Sequence, residues 1–218
     1  MPRSDDTALA RWPSRKGARL LLHVCCGPCA LMPILRCRDA GFTVTAWFMN
    51  PNIHPLTEYL RRREAALEAC AELGVELLCA DEHWEITAWL RSAAAGRDAR
   101  PDRCAFCCEG RINATFAEAR ELNIPFFSSS LLYSRHQPHE IIAAAGRRVA
   151  EANPTDPSFI YRDFREDWRA GIERSKKLGL YRQSYCGCVY SEAERYAGRL
   201  AAAGQQGRRI QKVHKVEA

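Results

Sequence analysis

A chain of 218 residues with 47% hydrophobic and 27% charged side chains is long enough for one sizeable core and too apolar to remain disordered. Its formal net charge of +6 favours a polyanionic partner through phosphate neutralisation and counterion release. The first twenty residues carry Arg3, Arg11, Arg15 and Lys16 without an apolar stretch, and no run is long enough to cross a bilayer. The expectation is a cytoplasmic protein with no membrane contact.

Residues 1–18 are polar and mixed in charge, and are expected to form a flexible extension. A short unalternating apolar run at 19–25 reads as a buried parallel strand, and a helix is expected at 29–40, closed by Gly41. The pattern repeats with a strand at 42–49, a helix at 57–73 capped by Gly74, and a strand at 75–80. Two helices at 85–95 and 102–122 then lead to a strand at 126–133, followed by a helix at 138–152 and a loop at 153–157. Helices at 166–178, capped by Gly179, and at 191–203 complete a single catalytic domain over 19–203, with a basic flexible tail at 204–218. Such alternation predicts a Rossmann-like α/β fold, a mostly parallel sheet with helices on both faces and a helical C-terminal part. In that architecture a site lies beyond the C-terminal ends of the strands.

Eleven cysteines are an odd number in a long chain without an export signal, so reduced or metal-bound thiols are expected rather than disulfides. Cys37, Cys70 and Cys79 stand alone within apolar patterns and read as small buried hydrophobes. The rest form three groups where turns meet helices: Cys25, Cys26 and Cys29; Cys104, Cys107 and Cys108; Cys186 and Cys188. Helix N-termini favour thiolates there, and a spacing of three puts Cys104 and Cys107 near one face. Successive groups lie about 80 residues apart, which only a completed fold closes, whereas structural zinc is usually held by two pairs within one small module. Thiolates also suit iron-sulfur clusters, which need four. With Cys108 set aside, seven remain, and the surplus points to a second metal or an open catalytic position.

Five motifs occur together and in order: LLHVCCGPCA at 21–30, MNPNIHPLTEYLRRREAA at 49–66, RCAFCCEGRI at 103–112, SSSLLYSRHQPHE at 128–140 and GLYRQSYCGCVYSE at 179–192. Through them, residues 19–194 resemble the QueH family of epoxyqueuosine reductases, the cobalamin-independent type. The resemblance implies reduction of the epoxide of epoxyqueuosine to the alkene of queuosine at the tRNA wobble position, the last step of queuosine biosynthesis. It also implies a [4Fe-4S] cluster beside a second metal ion, expected to be iron. Carried over by motif, Cys25, Cys104, Cys107 and Cys186 are the expected cluster ligands, and Cys26, Cys29 and Cys188 the expected ligands of the second ion. Cys108 stands where the family more often has tyrosine.

Removing the oxygen as water takes two electrons and two protons. A metal with an open position would polarise it, and electrons would come from an external low-potential donor such as a ferredoxin, since the chain has no glycine-rich nucleotide fingerprint. His54, Tyr59, Tyr133, His136 and Tyr181 are the proton-donor candidates. Asn50 and Asn52 would bind the base or its cyclopentane hydroxyls, while Arg61, Arg62, Arg63 and Arg182 would meet the tRNA backbone, with Tyr59 or Tyr181 stacking on a splayed base. Two rival readings are an iron-sulfur-dependent tRNA thiolation enzyme and a zinc-stabilised RNA-binding module. The first expects a Ser-Gly-Gly-type phosphate loop after the first strand, where this chain has Cys-Cys-Gly-Pro-Cys. The second leaves several thiols unused.

Overall fold

A computed structural model describes residues 16–155 and 157–213, the side chains of 205–213 apart. Most of the expected N-terminal extension and the end of the basic tail, 214–218, therefore lie outside the described residues. The chain runs β1 (Arg19–His23), α1 (Gly27–Asp39), β2 (Thr43–Phe48), α2 (Leu56–Leu73), β3 (Leu77–Cys79), α3 (Ile86–Ala94) and α4 (Asp102–Glu121). It continues through β4 (Phe126–Ser129), α5 (His139–Ala152), β5 (Ser158–Phe159), α6 (Trp168–Lys177) and α7 (Val189–Val213).

The five strands form one parallel sheet in the order β3-β2-β1-β4-β5. Leu20, Leu21 and Leu22 of the central strand are fully buried, so neither face of β1 meets water. At about 1.5–3 kcal/mol for each buried leucine, this strand anchors the core. The helix α1 packs on α2 and α6, while α4 packs on α5 and crosses β1 and β4. Because crossovers between parallel strands are right-handed, moving outward from β1 in opposite directions puts α1 and α2 on one face and α4 and α5 on the other. The order reverses between β1 and β4, and a crevice opens at their C-terminal ends.

His23 closes the floor of that crevice. Its Nε2 lies 3.0 Å from the Met49 carbonyl and its Nδ1 lies 2.9 Å from Ser129 Oγ. A carbonyl only accepts, so Nε2 carries the proton and the Ser129 hydroxyl donates to Nδ1. Burial, reinforced by the charge of Arg111, holds this imidazole neutral and pushes its pKa down to about 4.

The strand expected at 126–133 stops at Ser129, whose hydroxyl accepts from Leu131 N–H and turns the chain into a short 3-10 segment, Ser130–Tyr133. The edge strand β5 is two residues long, too short for alternation to reveal. The last helix runs to Val213, ten residues past the end expected at 203. Gly41, Gly74 and Gly179 have φ of +92°, +60° and +66°, the left-handed caps expected of them.

Gly27 matters for another reason: a Cβ there would overlap the backbone carbonyl of Ala65 in α2. That close approach lets the first turn of α1, and the cysteines on it, sit against α2. Gly27→Ala is expected to lower stability by more than about 2 kcal/mol. Gly110→Ala, on an open face of α4, is expected to be neutral or stabilising by about 0.5–1 kcal/mol. Thermal unfolding of the two variants checks this, and equal effects would contradict the packing account.

Candidate metal centre

The turn after β1 carries the first thiol group. Cys25, Cys26 and Cys29 are buried, and their three Sγ atoms all lie within 4.8 Å of one another. Cys25 and Cys26 Sγ are 3.9 Å apart. Cys26 is the N-cap of α1 and Cys29 lies in its first turn, which has no acidic residue and holds Pro28 where a missing N–H costs nothing. The positive end of this helix therefore points at thiols. Ser130, at the end of β4, accepts from Cys25 N–H at 3.1 Å and lies 3.6 Å from Cys25 Sγ, which fixes that side chain across the strand-order reversal. Hydrogen bonds from Cys26 and Cys29 hold Cys25 well below the usual thiol range. Burial lifts Cys26, and the bonds to Cys25 and Cys26 lift Cys29, so the three thiols titrate as a coupled group. The side-chain amide of Gln183 donates to Cys26 Sγ at 3.0 Å, with Cys29 Sγ at 4.0 Å.

The second group assembles from two helix starts. Cys104 and Cys107 occupy the first two turns of α4, and Cys188 precedes α7, where the Ser191 N–H points to its Sγ at 3.4 Å as at a capped helix. Cys188 packs with Trp89 and Ala93 in a small apolar cluster that Cys107, Phe106, Leu90 and Tyr190 also join. Burial pushes the Cys107 thiol up to about 11, opposed by Arg111 and reinforced by Cys186 and Cys188. Cys104 is raised by burial and by the same two thiols. The Gln137 amide donates to Cys186 Sγ at 3.2 Å, and its carbonyl lies 3.8 Å from Cys108 Sγ. Arg103 ties the two helices together, reaching Glu194 at 2.6 Å and standing over the Tyr190 ring.

The geometry thus joins Cys25 to Cys26 and Cys29, and brings Cys188 to Cys107. In the expected division of ligands, Cys25 goes with Cys104, Cys107 and Cys186. Sequence spacing does not show which thiols a fold brings together.

Arg62 requires a correction. Expected to meet tRNA phosphate, it is 1% exposed and turned into the protein. Its guanidinium bonds Glu58 at 2.7 Å, the Cys186 carbonyl at 2.7 Å and the Tyr185 carbonyl at 3.0 Å. It holds the Cys186–Cys188 loop onto α2, next to Gly187, where the φ of +136° would strain any side chain and a Cβ would sit tightly against Ile53 and Arg62. Arg63 is engaged by Asp81 at 2.9 Å, whereas Arg61 and Arg182 are exposed. Arg61 lies over the Tyr181 ring, 5.9 Å from its centroid.

Of the proton-donor candidates, Tyr59 is buried and donates to Asp81 at 2.7 Å, between α2 and the end of β3. His54 is buried against Trp89, with Nε2 on the Pro51 carbonyl at 3.1 Å. Tyr133 donates to the Trp168 carbonyl at 3.1 Å; burial raises it, and charge at Cys29 and Cys26 raises it further. Tyr181 is half-buried and donates to Glu58 at 2.6 Å. His136 is exposed, its ring against Trp168. Asn50 and Asn52 are both buried; Asn50 donates to the Val24 carbonyl just ahead of Cys25. Gln137, Gln183 and Arg111 lie within the motifs yet were not singled out, since an isolated amide or arginine gives no periodic signal.

Comparison with known proteins matches this sequence to a family. The model for "Epoxyqueuosine reductase QueH" matches residues 20–194. The epoxyqueuosine reductase QueH of Dehalococcoides mccartyi is 36% identical over 178 residues, covering 82% of this chain and 94% of that protein. The one from Thermotoga maritima is 35% identical over 181 residues, covering 81% and 91%. Among solved structures, the U34-tRNA thiolase NcsA of Methanococcus maripaludis, with its [4Fe-4S] cluster, superposes with a TM-score of 0.54 at 15% identity, over 85% of this chain and 65% of that one. That likeness concerns the fold alone. The match across all five motif regions, at this identity and nearly the full length of these two relatives, shows that the chain belongs to the QueH family of epoxyqueuosine reductases.

Proposed function

We propose that this chain reduces epoxyqueuosine to queuosine at the wobble position of cytoplasmic tRNA, completing queuosine biosynthesis, with its clustered cysteines holding iron. The observation that carries the reading is the convergence of Cys25, Cys26 and Cys29 within 4.8 Å at the strand-order reversal, beside a second set of thiols. A tetrahedral ion with metal–sulfur bonds of about 2.3 Å sets its thiolates about 3.8 Å apart, close to the 3.9 Å between Cys25 and Cys26. Ligands of a [4Fe-4S] cluster each bind a different iron and stand farther apart. We therefore assign Cys25, Cys26 and Cys29 to a single iron ion, and Cys104, Cys107, Cys186 and Cys188 to the cluster. All eleven cysteines are free.

When bound, the cluster would supply electrons one at a time from an external low-potential donor, and the single ion would supply Lewis acidity for the epoxide oxygen. The chain itself contributes shelter, orientation and protons. Gln183 and Gln137 each donate an N–H to a thiol, which orients the sulfurs and favours their anionic form. Tyr133 holds a proton on its hydroxyl close enough to the trio for charge at Cys29 and Cys26 to act on it, and we assign it one of the two protons that leave with the oxygen. At the mouth, Tyr181 with Arg61 above it offers a platform for a base splayed from its stack. The thiolation reading lacks a phosphate loop after β1, where the cysteine turn stands, and a zinc module leaves one of the two thiol sets unused.

Anaerobic loading with iron and sulfide, followed by reduction and incubation with epoxyqueuosine-containing tRNA, is expected to yield queuosine on nucleoside analysis. Unchanged epoxide with a fully loaded protein would defeat the reading. In the same assay Tyr133→Phe is expected to keep its iron and to lose about 100-fold in turnover, and wild-type turnover would return Tyr133 to a packing role. Arg61→Ala and Arg182→Ala are each expected to weaken tRNA binding and to flatten its salt dependence by about one unit of log–log slope. Binding measured across a salt series tests this, and an unchanged slope in both would place the backbone contacts elsewhere.

A further inference from the structure

Among the described residues three arginines are at least 97% buried: Arg62, Arg103 and Arg111, with exposures of 1%, 2% and 3%. The first two have a carboxylate, Glu58 and Glu194 respectively. Arg111 has none within ion-pair distance among the described residues. Its Nε donates to the Cys107 carbonyl one turn earlier at 3.1 Å, and its Nη2 lies 3.7 Å from Cys108 Sγ. The helix that bears it crosses β1 and β4, at the reversal where the first thiol group begins. The groups whose charge acts most strongly on Arg111 are Cys107, Cys108 and Cys186, followed by Cys25. The guanidinium thus lies against the Cys107–Cys108 turn of α4, beside a proposed cluster ligand.

A buried cation without an anionic partner is costly, and buried charges are as a rule paired, so an anionic group bound beside it would offset that cost. Metal ligation binds cysteines as thiolates, and a thiolate-bound iron centre is anionic. We propose that Arg111 is the built-in counter-charge of the loaded thiolates, a positioning residue that makes the centre easier to reduce. The inference rests on the iron loading proposed above. A fixed positive charge stabilises the more negative, reduced form of a nearby centre, so its removal makes electron uptake harder.

The test compares wild-type protein with Arg111→Lys and Arg111→Met. Each is loaded anaerobically, assayed for iron and sulfide, and poised against a dye couple while the reduced fraction is read by electron paramagnetic resonance. Arg111→Met is expected to load fully but to show a reduced-to-oxidised ratio about tenfold lower at a fixed poise, equivalent to about 59 mV for a one-electron couple. Arg111→Lys keeps the charge and is expected to stay near the wild-type ratio. A fully loaded Arg111→Met protein with an unshifted ratio overturns the proposal. So does one that no longer folds when empty, by circular dichroism, because the guanidinium would then be holding the helix and not awaiting a charge. Failure of the wild-type chain itself to take up iron and sulfide would instead defeat the metal reading, and this inference with it.

Discussion

Thiols gathered away from water become useful ligands only where positive potential offsets the cost of burying their charge. Much of this fold serves that requirement. Three helices begin at the cysteine groups: α1 at Cys26 and Cys29, α4 at Cys104, and α7 at Cys188. Each contributes unpaired N–H groups and the positive end of its dipole, worth roughly 0.3–1 kcal/mol per charge at an exposed site and up to about 2 in a sheltered one. Two buried guanidinium groups lie at the thiols: Arg62, paired with Glu58, against the Cys186 loop, and Arg111 against Cys107 and Cys108.

The sheet order explains why these elements meet. With β1 and β4 adjacent at the reversal, the turn after β1 and the 3-10 segment after β4 share one crevice, joined by the Ser130 hydroxyl on Cys25 and by His23 on Ser129. The helix α4 crosses the same two strands from the other face. The loop of Cys186–Cys188 arrives last in the chain and is held by Arg62 and by the Gly187 carbonyl, which accepts the His54 N–H at 2.8 Å. Residues more than 100 positions apart are thus joined at the site by a few polar bonds.

Much of this was legible in the sequence. Short apolar runs and the glycine caps at 41, 74 and 179 sufficed for a parallel α/β architecture, because buried strands and left-handed caps have strong local causes. The cysteine groups stood out in the sequence, but which sulfurs meet is set by long-range packing, so Cys25 and Cys188 exchange places between the expected sets and the proposed ones. The Arg61–Arg63 run was misleading for a simpler reason. Consecutive helix residues point about 100° apart, so one of the three turns inward while Arg61 remains exposed. The carboxylate of Glu58, four residues before Arg62, was the available sign of a helical ion pair.

The central claim is that the two thiol sets hold two different kinds of iron. Mössbauer spectroscopy of protein loaded with iron-57 and sulfide tests it most directly, with Cys29→Ala and Cys104→Ala beside the wild type. The account expects two iron environments in the wild-type chain. Cys29→Ala should lose only the single-ion signal, and Cys104→Ala should lose most of the cluster signal while retaining the single ion. Loss of the cluster signal in Cys29→Ala, with Cys104→Ala unaffected, would contradict the assignment.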